Sequence, residues 1–299
     1  MPYLLGRIIL LNNMNNMKVS ILIPTLANEK SLPYLEKCIK TIRETQSVAH
    51  DIKVMINGGV MKQPKLPAAF YFTKGQGQCQ AVNKASKEAN TEWLLVTNDD
   101  QVFPPNWERM FEDEILAKSD VICMNSMESG KIGAAPPFVV NDCGRDLESF
   151  NHEKFNKDAV DLGSGEGSRP DHLEKGFNLP FLVKKELWDK IGGYDESYDP
   201  WGSNSDSDLY YKFKLAGVQP YRDRRILNYH FSQISGTFDF MNQARELWDA
   251  ETKLKEEYWN KNTRYFQEKW GFVRARSPEI WFEINIPKEN KYHPEWEKK

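Results

Sequence analysis

The stretch WLLVTNDDQVFPP, residues 93–105, indicates the fold of the chain because a buried strand in it ends in acidic residues. WLLVT is a short apolar run of the kind that forms a strand covered on both faces of a sheet. Asn98, Asp99 and Asp100 follow at once, and a Pro-Pro pair closes the stretch. Two adjacent carboxylates repel each other unless a proton, a basic group or a cation lies between them. The stretch therefore predicts either a cation-binding strand end or a plain turn in which Asp100 caps the next helix.

Residues 18–125 surround this stretch with a regular alternation of apolar runs and segments of helical spacing. The runs KVSILIPT, DIKVMINGG, FYFTKGQGQ, EWLLVT and DVICMN predict five strands. The segments SLPYLEKCIKTIRETQ, QAVNKASKEAN and NWERMFEDEILAK predict helices, the first of them capped by Ser31. Strands that alternate with helices in this way predict βαβ units and a largely parallel sheet.

Polar residues follow four of the five predicted strands, at positions 25–28, 57, 74–76 and 98–100. The carboxyl ends of parallel strands meet at one edge of a sheet, and ligands bind in the crevice beyond that edge. We therefore expect these four groups of residues to gather around a ligand.

Composition and charge fit one large α/β domain, or two smaller ones, in a chain of 299 residues. Hydrophobic residues make up 40% of the chain and charged residues 28%, as in an ordinary globular enzyme. The net charge of −3 gives no electrostatic footprint for nucleic acid, which normally shows as a basic domain or stripe. Four widely spaced cysteines without a C-x-x-C pair predict neither a zinc site nor a disulfide framework, and they favour a reducing, cytoplasmic compartment.

Residues 1–16 are predicted to be an N-terminal extension that is not part of the fold, which would begin at Met17. Their apolar run, YLLGRIILL, is too short for a membrane span and lacks the small-residue cleavage site of a signal peptide. The alternative is a short membrane-surface anchor, so we expect membrane contact to be peripheral at most.

Residues 126–176 are rich in Gly, Ser and Pro and show little periodicity, which predicts a long functional loop. FNLPFLVKKELWDKIGGYDE then predicts a strand and a short helix that ends at Gly192. SDSDLYYKFKLAG predicts a further helix, RILNYHF a strand, and the charged residues 239–270 a terminal helix.

Five blocks of the chain resemble, in the same order, those of family 2-type glycosyltransferases with the GT-A fold, within the nucleotide-diphospho-sugar transferase superfamily. The blocks are VSILIPT, TKGQGQCQAVNKASKEA, WLLVTNDDQVFPPNWE, FLVKKELWDKIGGYDESYDPWGSNSDSDLYYKFKLAG and FQEKWG. The resemblance runs from about residue 18 to residue 271, and the block that contains KIGGYDE is its most specific part.

The resemblance implies the fold and its division into parts. The implied fold class is α/β, a single GT-A-type Rossmann-like domain with a mostly parallel central sheet and a C-terminal helical extension. Residues 17–125 would form the nucleotide-sugar-binding half. Residues 126–237 would form the acceptor-binding and catalytic half, with a long loop at 126–176, and residues 238–299 the helical extension.

The resemblance also implies an activity, which is the transfer of a sugar from a nucleotide-diphosphate sugar to an acceptor hydroxyl, usually with inversion. The implied donor is a UDP-sugar, and the implied cofactor is Mn²⁺ or Mg²⁺. The acceptor would be a glycan, a lipid-linked compound or another compound with a hydroxyl group, as in polysaccharide biosynthesis.

The family motifs assign donor-side roles to individual residues of this chain. Asp100 would bind the metal together with Asp99 and His230, while Asn98 stands where the family has its first Asp. The residues implied to bind the nucleotide-sugar are Pro24, Thr25, Asn57, Lys74, Gln76, Asn83 and Asp99. The family usually has an Asp at the position of Asn57, so the identity of the base is left open.

The block WGSNSDSDL carries the implied acceptor side. Asp206 takes the position of the catalytic base, Asp208 that of the carboxylate that follows it, and Trp201 that of a residue able to stack on a sugar. An inverting displacement needs a base within hydrogen-bond reach of the acceptor hydroxyl. An Asp at a helix start is stabilised as an anion, so Asp206 would act more by position than by high basicity. Ser205 replaces the Glu that relatives have before the base.

Plainer interpretations stay open for these residues. Asp206 also fits an ordinary N-cap, and His230 and Trp201 also fit packed positions in the core. The arginines at 222, 224 and 225 could pair with a diphosphate or form a solvated face.

Two other functions also stay open. A nucleotidyltransferase would share the nucleotide-binding sheet and the acidic metal ligands, although PTLANEKSLP lacks the Gly-rich phosphate loop expected of it. A degenerate, non-catalytic GT-A module that binds a sugar or a partner would explain why Asn57, Asn98 and Ser205 stand where acids are expected.

Overall fold

The computed structural model describes residues 17–57, 64–73, 77–129, 139–164, 172–232, 234 and 245–271. Its strands are β1 (Ser20–Thr25), β2 (Asp51–Asn57), β3 (Ala69–Thr73), β4 (Trp93–Val96), β5 (Gln101–Val102), β6 (Val121–Glu128), β7 (Val139–Val140), β8 (Leu173–Lys175), β9 (Phe181–Lys184) and β10 (Tyr221–His230). Its α-helices are α1 (Leu32–Thr45), α2 (Gln78–Lys87), α3 (Asp113–Leu116), α4 (His152–Ser164), α5 (Lys185–Ile191), α6 (Ser205–Leu215) and α7 (Ala250–Trp270). Short 3₁₀ helices lie at Trp107–Phe111, Glu196–Tyr198 and Arg245–Leu247.

The strands form one sheet in the order β3-β2-β1-β4-β9-β6-β10-β5, with β7 beside β6 and β8 beside β10. The half made of β3, β2, β1 and β4 is parallel throughout. In the other half β6 and β10 are parallel, while β9 lies antiparallel between β4 and β6. The predicted α/β class with a mostly parallel central sheet is therefore confirmed, and the antiparallel insertion of β9 is a feature that the pattern of apolar runs did not reveal.

The central strands are covered by helices on both faces, as their continuous apolar runs predict. Leu22 of β1 packs in one layer with Ala81, Val82 and Ala85 of α2. Its neighbour Ile21 faces the other layer, in which α1 buries its apolar side chains. The small alanine side chains on this face of α2 let the helix lie close to the sheet.

The start of α1 differs from the prediction that Ser31 caps it. The Ser31 side chain makes no capping bond to the helix. Instead, Asn28 Oδ1 accepts hydrogen bonds from the backbone N–H groups of Lys30 and Ser31, at 3.1 and 2.8 Å. The turn after β1 is therefore closed by the Asn28 side chain, which is a normal role for Asn.

The helix predicted over residues 106–118 is divided in two. A 3₁₀ helix at Trp107–Phe111 and the single turn α3 are separated by Glu112, whose backbone is extended. The Glu112 carboxylate binds both Arg109 and Arg225, with N···O distances of 2.9 and 3.0 Å. Arg225 is more than 100 residues from Glu112 in the sequence, so helical spacing alone could not predict the break in the helix.

The long loop predicted over residues 126–176 is not irregular throughout. It contains the end of β6, the strands β7 and β8, and the three-turn helix α4. Phe155 and Ala159 of α4 are fully buried, and Gly163 lies so close to β10 that a Cβ there would be 2.3 Å from the Arg225 carbonyl oxygen. A stripe of only three residues, one of them Gly, is too narrow for sequence periodicity to detect.

The helix α7 lies within the predicted terminal helix over 239–270 and packs on the domain. Phe266 and Trp270 are buried against Tyr211 of α6, and the Asp249 side chain caps the helix by accepting from the Thr252 N–H at 2.7 Å. None of the described helices is both long and apolar enough to cross a membrane. The predicted extension at 1–16 lies outside the described residues, as does the segment 272–299.

Candidate functional site

The expected gathering of polar strand ends occurs at the carboxyl edge of β2, β1 and β4, which are neighbours in the sheet. Thr25 at the end of β1 donates from Oγ1 to Asp99 Oδ2 at 2.6 Å, and the same hydroxyl accepts from the Ala27 N–H at 2.9 Å. Asn57 ends β2 and is buried, and its Oδ1 has no hydrogen-bond partner among the described residues. Pro24 lies one residue before Thr25, inside β1 and opposite Met55 of β2.

Two predicted donor-side residues, Lys74 and Gln76, lie outside the described residues. A third, Asn83, lies in α2 with its amide group turned toward the loop after α5. Its Nδ2 donates to the Tyr194 carbonyl at 2.8 Å and to Glu196 Oε1 at 3.0 Å, while its Oδ1 accepts from the Tyr194 N–H at 2.9 Å. These contacts give Asn83 a structural role in holding that loop.

Asp99 and Asp100 are forced close together at the end of β4. Burial raises the pKa of Asp99 to about 7, and the neighbouring charge of Asp100 adds to the shift, against the hydrogen bond from Thr25. The pair therefore disfavours two negative charges when no cation is present, as its sequence suggested.

The position of Asp100 depends on the two-residue strand β5 that follows it. β5 pairs antiparallel with the end of β10, where Gln101 lies opposite His230. The Phe231 N–H also donates to the Asp100 carbonyl at 3.1 Å. The Asp100 side chain consequently faces His230 and not the start of a helix, with 3.4 Å between Oδ2 and Nε2.

His230 lies between two carboxylates. Its other ring nitrogen, Nδ1, is 2.8 Å from Glu128 Oε1 at the end of β6. Burial alone would lower the pKa of His230, but the charges of Asp100 and Glu128 and its hydrogen bonds to them outweigh burial and raise the pKa to about 10. His230 is therefore a protonated bridge between β4, β6 and β10.

One buried oxygen atom without a hydrogen-bond partner among the described residues indicates that Asp100 and His230 could bind a divalent cation. Asp100 Oδ1 is buried and has no hydrogen-bond partner in the described part of the chain. Within those same residues, no group of three or more His, Cys, Asp or Glu side chains is arranged to hold a metal by itself. Mg²⁺ and similar cations usually take one or two protein carboxylates and complete their shell with water and substrate phosphates. Asp100 and His230 fit such an incomplete site.

Sequence reasoning missed Glu128. The fifth strand was predicted to end at Asn125, whereas β6 continues to Glu128. Glu128 is an acidic residue at the end of a strand, which is the same pattern that pointed to Asp100. A prediction that extended this strand to residue 128 would therefore have identified Glu128.

Asp206, the predicted base, lies in the first turn of α6 and is partly exposed. The N-cap position belongs to Asn204, which has a φ of 67°, so Asp206 is the second residue inside the helix. Tyr194 Oη donates to Asp206 Oδ1 at 2.8 Å. This contact is the second one that sequence reasoning missed, because Tyr194 is in the turn after α5.

Asp208 does not share the setting of Asp206. It is fully buried, and its Oδ1 accepts from Trp270 Nε1 at 2.9 Å and lies 2.7 Å from Lys269 Nζ. Tyr198 Oη donates to the same oxygen at 3.2 Å. The described contacts therefore make Asp208 an anchor for α7, and its acceptor-side role stays a prediction.

Trp201 is half-buried beneath α7, with Lys255 Nζ lying 5.4 Å from its ring centroid. The preceding loop carries Asp199, a residue that sequence reasoning did not single out. Asp199 accepts from the N–H groups of Cys79 and Gln80, at 3.0 and 2.9 Å, and so caps α2. Gly77 leaves room for this carboxylate, since a Cβ there would be 2.0 Å from Asp199 Cγ.

The three arginines of β10 bind acidic side chains of the protein. Arg222 and Arg224 both bind Glu174 of β8, each at 2.9 Å. Arg225 binds Asp223 at 2.8 Å, in addition to Glu112. Arg222 and Arg225 are buried and only Arg224 is exposed, so the three residues do not form a solvated face.

Comparison with known proteins adds one family match. Residues 20–139 match the family model described as Glycosyl transferase family 2. No curated protein matches the chain.

Among solved structures, the chain is similar to S. aureus TarS 1-349, with 15% identity, a TM-score of 0.48 and coverage of 91% of this chain and 76% of that one. For TarS 1-349 in complex with UDP-GlcNAc the values are 14%, 0.48, 87% and 74%. For its complex with UDP they are 13%, 0.45, 90% and 76%. Structural similarities as weak as these do not assign a role to any individual residue.

Proposed function

We propose that this chain, whose residues 20–139 match the model described as Glycosyl transferase family 2, is a glycosyltransferase that transfers a sugar from a nucleotide-diphosphate sugar to an acceptor hydroxyl with inversion. The proposed donor is a UDP-sugar. The proposed acceptor is a glycan, a lipid-linked compound or another compound with a hydroxyl group, which is consistent with a role in polysaccharide biosynthesis.

One observation carries the proposal. The acidic end of β4 lies inside the matched region and is tied to β1 through Thr25 and to β10 through His230. Those bonds hold Asp99 and Asp100 at the carboxyl edge of a mostly parallel sheet, where ligands of such sheets bind. The Oδ1 atoms of Asn57 and Asp100, which have no hydrogen-bond partner among the described residues, lie at the ends of two of these strands and support a polar ligand there.

On the donor side, Pro24, Thr25 and Asn57 would lie beside the nucleotide, with Asp99 held by Thr25. Lys74 and Gln76, which follow β3, belong to the proposed donor site on the sequence alone. Thr25 would keep the Asp99 carboxylate turned away from Asp100, which limits the repulsion between the two.

Asp100 and His230 are the residues that would hold Mn²⁺ or Mg²⁺, with Asp99 beside them. When bound, such a cation stabilises the negative charge of the departing nucleoside diphosphate as a Lewis acid. His230 must give up a proton to become a ligand, because only neutral imidazole binds metals. Glu128 would then orient the ring by accepting from Nδ1, as carboxylates behind histidine ligands generally do.

Asp206 is the proposed base. It would take the proton of the acceptor hydroxyl while the hydroxyl oxygen attacks the anomeric carbon and the bond to the diphosphate oxygen breaks. The position of Asp206 in the first turn of α6 and the hydrogen bond from Tyr194 both stabilise the carboxylate as an anion. Asp206 would therefore contribute through its location, on which general-base catalysis also depends.

The test is turnover of a panel of nucleotide-sugars, measured as release of nucleoside diphosphate with Mn²⁺, with Mg²⁺ and with a chelator. We expect metal-dependent turnover of at least one donor by the wild type. Asp206→Asn should lower turnover by about 10²- to 10⁴-fold and leave donor binding unchanged. Full turnover by Asp206→Asn would overturn the base assignment, and no turnover of any donor by the wild type would favour a non-catalytic binding module.

A further inference from the structure

Tyr194 lies in the turn after α5 and is held there by α2. Its backbone N–H donates to Asn83 Oδ1 at 2.9 Å, and its carbonyl accepts from Asn83 Nδ2 at 2.8 Å. A single side chain of α2 thus binds the backbone of Tyr194 on both sides. The turn cannot shift along α2 without breaking both bonds.

The ring of Tyr194 is fixed as firmly as its backbone. It is 2% exposed and packs edge-on against Trp188 of α5, with 5.5 Å between ring centroids. The preceding Gly193 has a φ of 59°, and a Cβ on it would lie 2.3 Å from Asn83 Oδ1 and 2.8 Å from Trp188. Only glycine allows this close approach, which sets the direction in which the Tyr194 ring leaves the turn.

The Tyr194 hydroxyl reaches α6 and donates to Asp206 Oδ1 at 2.8 Å. Burial raises the pKa of Tyr194 well above its ordinary value, and the charge of Asp206 adds to this, so the hydroxyl stays protonated. The hydroxyl is therefore a donor held in place by the contacts of Tyr194 with α2 and α5, while Lys212 of α6 also donates to the Gly193 carbonyl of the same turn.

We propose that Tyr194 is a positioning residue for Asp206, which holds the carboxylate in one rotation and favours its ionised form. This inference rests on the proposed function for its catalytic meaning, since the base role of Asp206 belongs to that proposal. It links the two halves of the domain, because the donor-side helix α2 fixes, through Asn83 and Tyr194, the orientation of a carboxylate on the acceptor side.

Among the described titratable groups, Cys79 of α2 interacts electrostatically with Asp206, and Asp208 follows it two residues later in α6. Burial raises the pKa of Cys79 well above its ordinary value, and Asp199 contributes, so the thiol is neutral at physiological pH. Asp208 is paired with Lys269. Of the described side chains that donate a hydrogen bond to Asp206, Tyr194 is therefore the one whose removal tests the idea most simply.

The chain offers a matched control in Tyr198. This tyrosine is also buried and also donates to a carboxylate of α6, but to Asp208 Oδ1, at 3.2 Å. Tyr198→Phe removes a buried tyrosine–carboxylate bond of the same kind and leaves the bond to Asp206 in place.

The experiment is a pH titration of the Asp206 carboxyl carbon by NMR, on the full chain with ¹³Cγ-labelled aspartate and without substrate. A hydrogen bond to the charged form lowers a carboxyl pKa, so Tyr194→Phe should raise the pKa of Asp206 by about one unit. Tyr198→Phe should leave it unchanged. An unchanged Asp206 titration in folded Tyr194→Phe would overturn the proposal and reduce Tyr194 to a packing residue.

A second variant keeps the test decisive should Tyr194→Phe fold poorly. Site-specific 3-fluorotyrosine at position 194 keeps the ring and hydroxyl but makes the hydroxyl a stronger donor, so the pKa of Asp206 should fall. No change there would also count against the proposal. These titrations need no turnover, so they test the role of Tyr194 independently of the proposed function. The base role of Asp206 is contradicted separately, if Asp206→Asn is as active as the wild type.

Discussion

Asp100 Oδ2 lies 3.4 Å from His230 Nε2, and the two residues reach this distance because the strand directly after Asp100 pairs with the strand that ends at His230. Glu128 closes the arrangement from the other side, 2.8 Å from Nδ1. Three strand ends of one sheet therefore meet at a single imidazole. This relationship brings the acidic end of β4 next to the imidazole with which we propose that it binds a cation.

His230→Gln should make the free protein less stable at low pH than at high pH, relative to the wild type. The pKa of His230 in the folded state, about 10, lies above its unfolded value, so the stability from its charge is fully present below about pH 6.5 and is lost as the pH rises toward 10. Urea unfolding with a chelator should show a loss of about 2 kcal/mol at pH 6, since hydrogen bonds to charged groups have this order of strength.

That loss should shrink when unfolding is repeated at pH 9.5. A difference between His230→Gln and the wild type that is the same at both pH values would contradict the charged bridge between Asp100 and Glu128.

Asp99→Asn should stabilise the protein when no metal is present. The pKa of Asp99, raised to about 7, means that its ionisation opposes folding increasingly as the pH rises through this range. Asparagine removes the charge beside Asp100 and still accepts from Thr25. Denaturant unfolding at pH 8 should show a gain of about 1 to 3 kcal/mol that fades toward pH 4, and a gain of equal size at pH 4 would show another cause.

Lys269→Met should loosen the attachment of α7. Lys269 Nζ lies 2.7 Å from both Asp195 and Asp208, and the latter is fully buried. Removing one partner of a buried ion pair leaves an uncompensated charge, so we expect a loss of about 3 to 5 kcal/mol in unfolding free energy. Lys253→Met, at an exposed position of the same helix, should change stability by less than about 0.5 kcal/mol. Equal effects of the two changes would contradict the anchoring role.

Gly77→Ala should cost more stability than Gly217→Ala. Both glycines have positive φ values, 149° and 80°, which disfavour alanine. Gly217 has no atom within 4 Å of an added Cβ, whereas at Gly77 that atom would lie 2.0 Å from the carboxylate carbon of Asp199. Thermal unfolding should show a loss of about 1 kcal/mol at 217 and about 2 to 4 kcal/mol at 77, where the cap of α2 is also lost. Similar losses would mean that Asp199 moves aside easily.

The gathering of the strand ends could be predicted from the sequence because it depends on local patterns. Continuous apolar runs define buried strands, and parallel strands bring their carboxyl ends to one edge. Thr25, Asn57 and Asp99 therefore occupy neighbouring strand ends as expected, although which hydrogen bonds join them could not be deduced.

The remaining parts of the site depend on pairings between distant segments. The order in which β9, β6 and β10 enter the sheet is not encoded in the period of any of them, so the meeting of Glu128 with His230 was not foreseen. The bond from Tyr194 to Asp206 is likewise made between a turn and a helix that a sequence pattern treats independently.

Asp206 and Asp208 show a limit of motif transfer. Asp206 and Asp208 are two residues apart on a helix, and neighbours on one helix face are three or four residues apart. Their side chains therefore point to different faces. Asp206 lies at the partly exposed start of α6, while Asp208 points into the core toward Lys269. The motif assigns both acids to one site, whereas helical geometry gives them different surroundings, and the acceptor-side role of Asp208 stays a prediction.

The most direct measurement of the central claim is the thermal stability of the wild type and Asp100→Asn with a panel of nucleoside diphosphates and nucleotide-sugars, with and without Mn²⁺. A ligand at about 100 times its Kd stabilises a protein by about 2.7 kcal/mol, which for a chain of this size raises Tm by several degrees. We expect a rise in Tm for at least one nucleotide that requires Mn²⁺ and is lost in Asp100→Asn. No Mn²⁺-dependent rise with any nucleotide in the wild type, or an equal rise in Asp100→Asn, would contradict it.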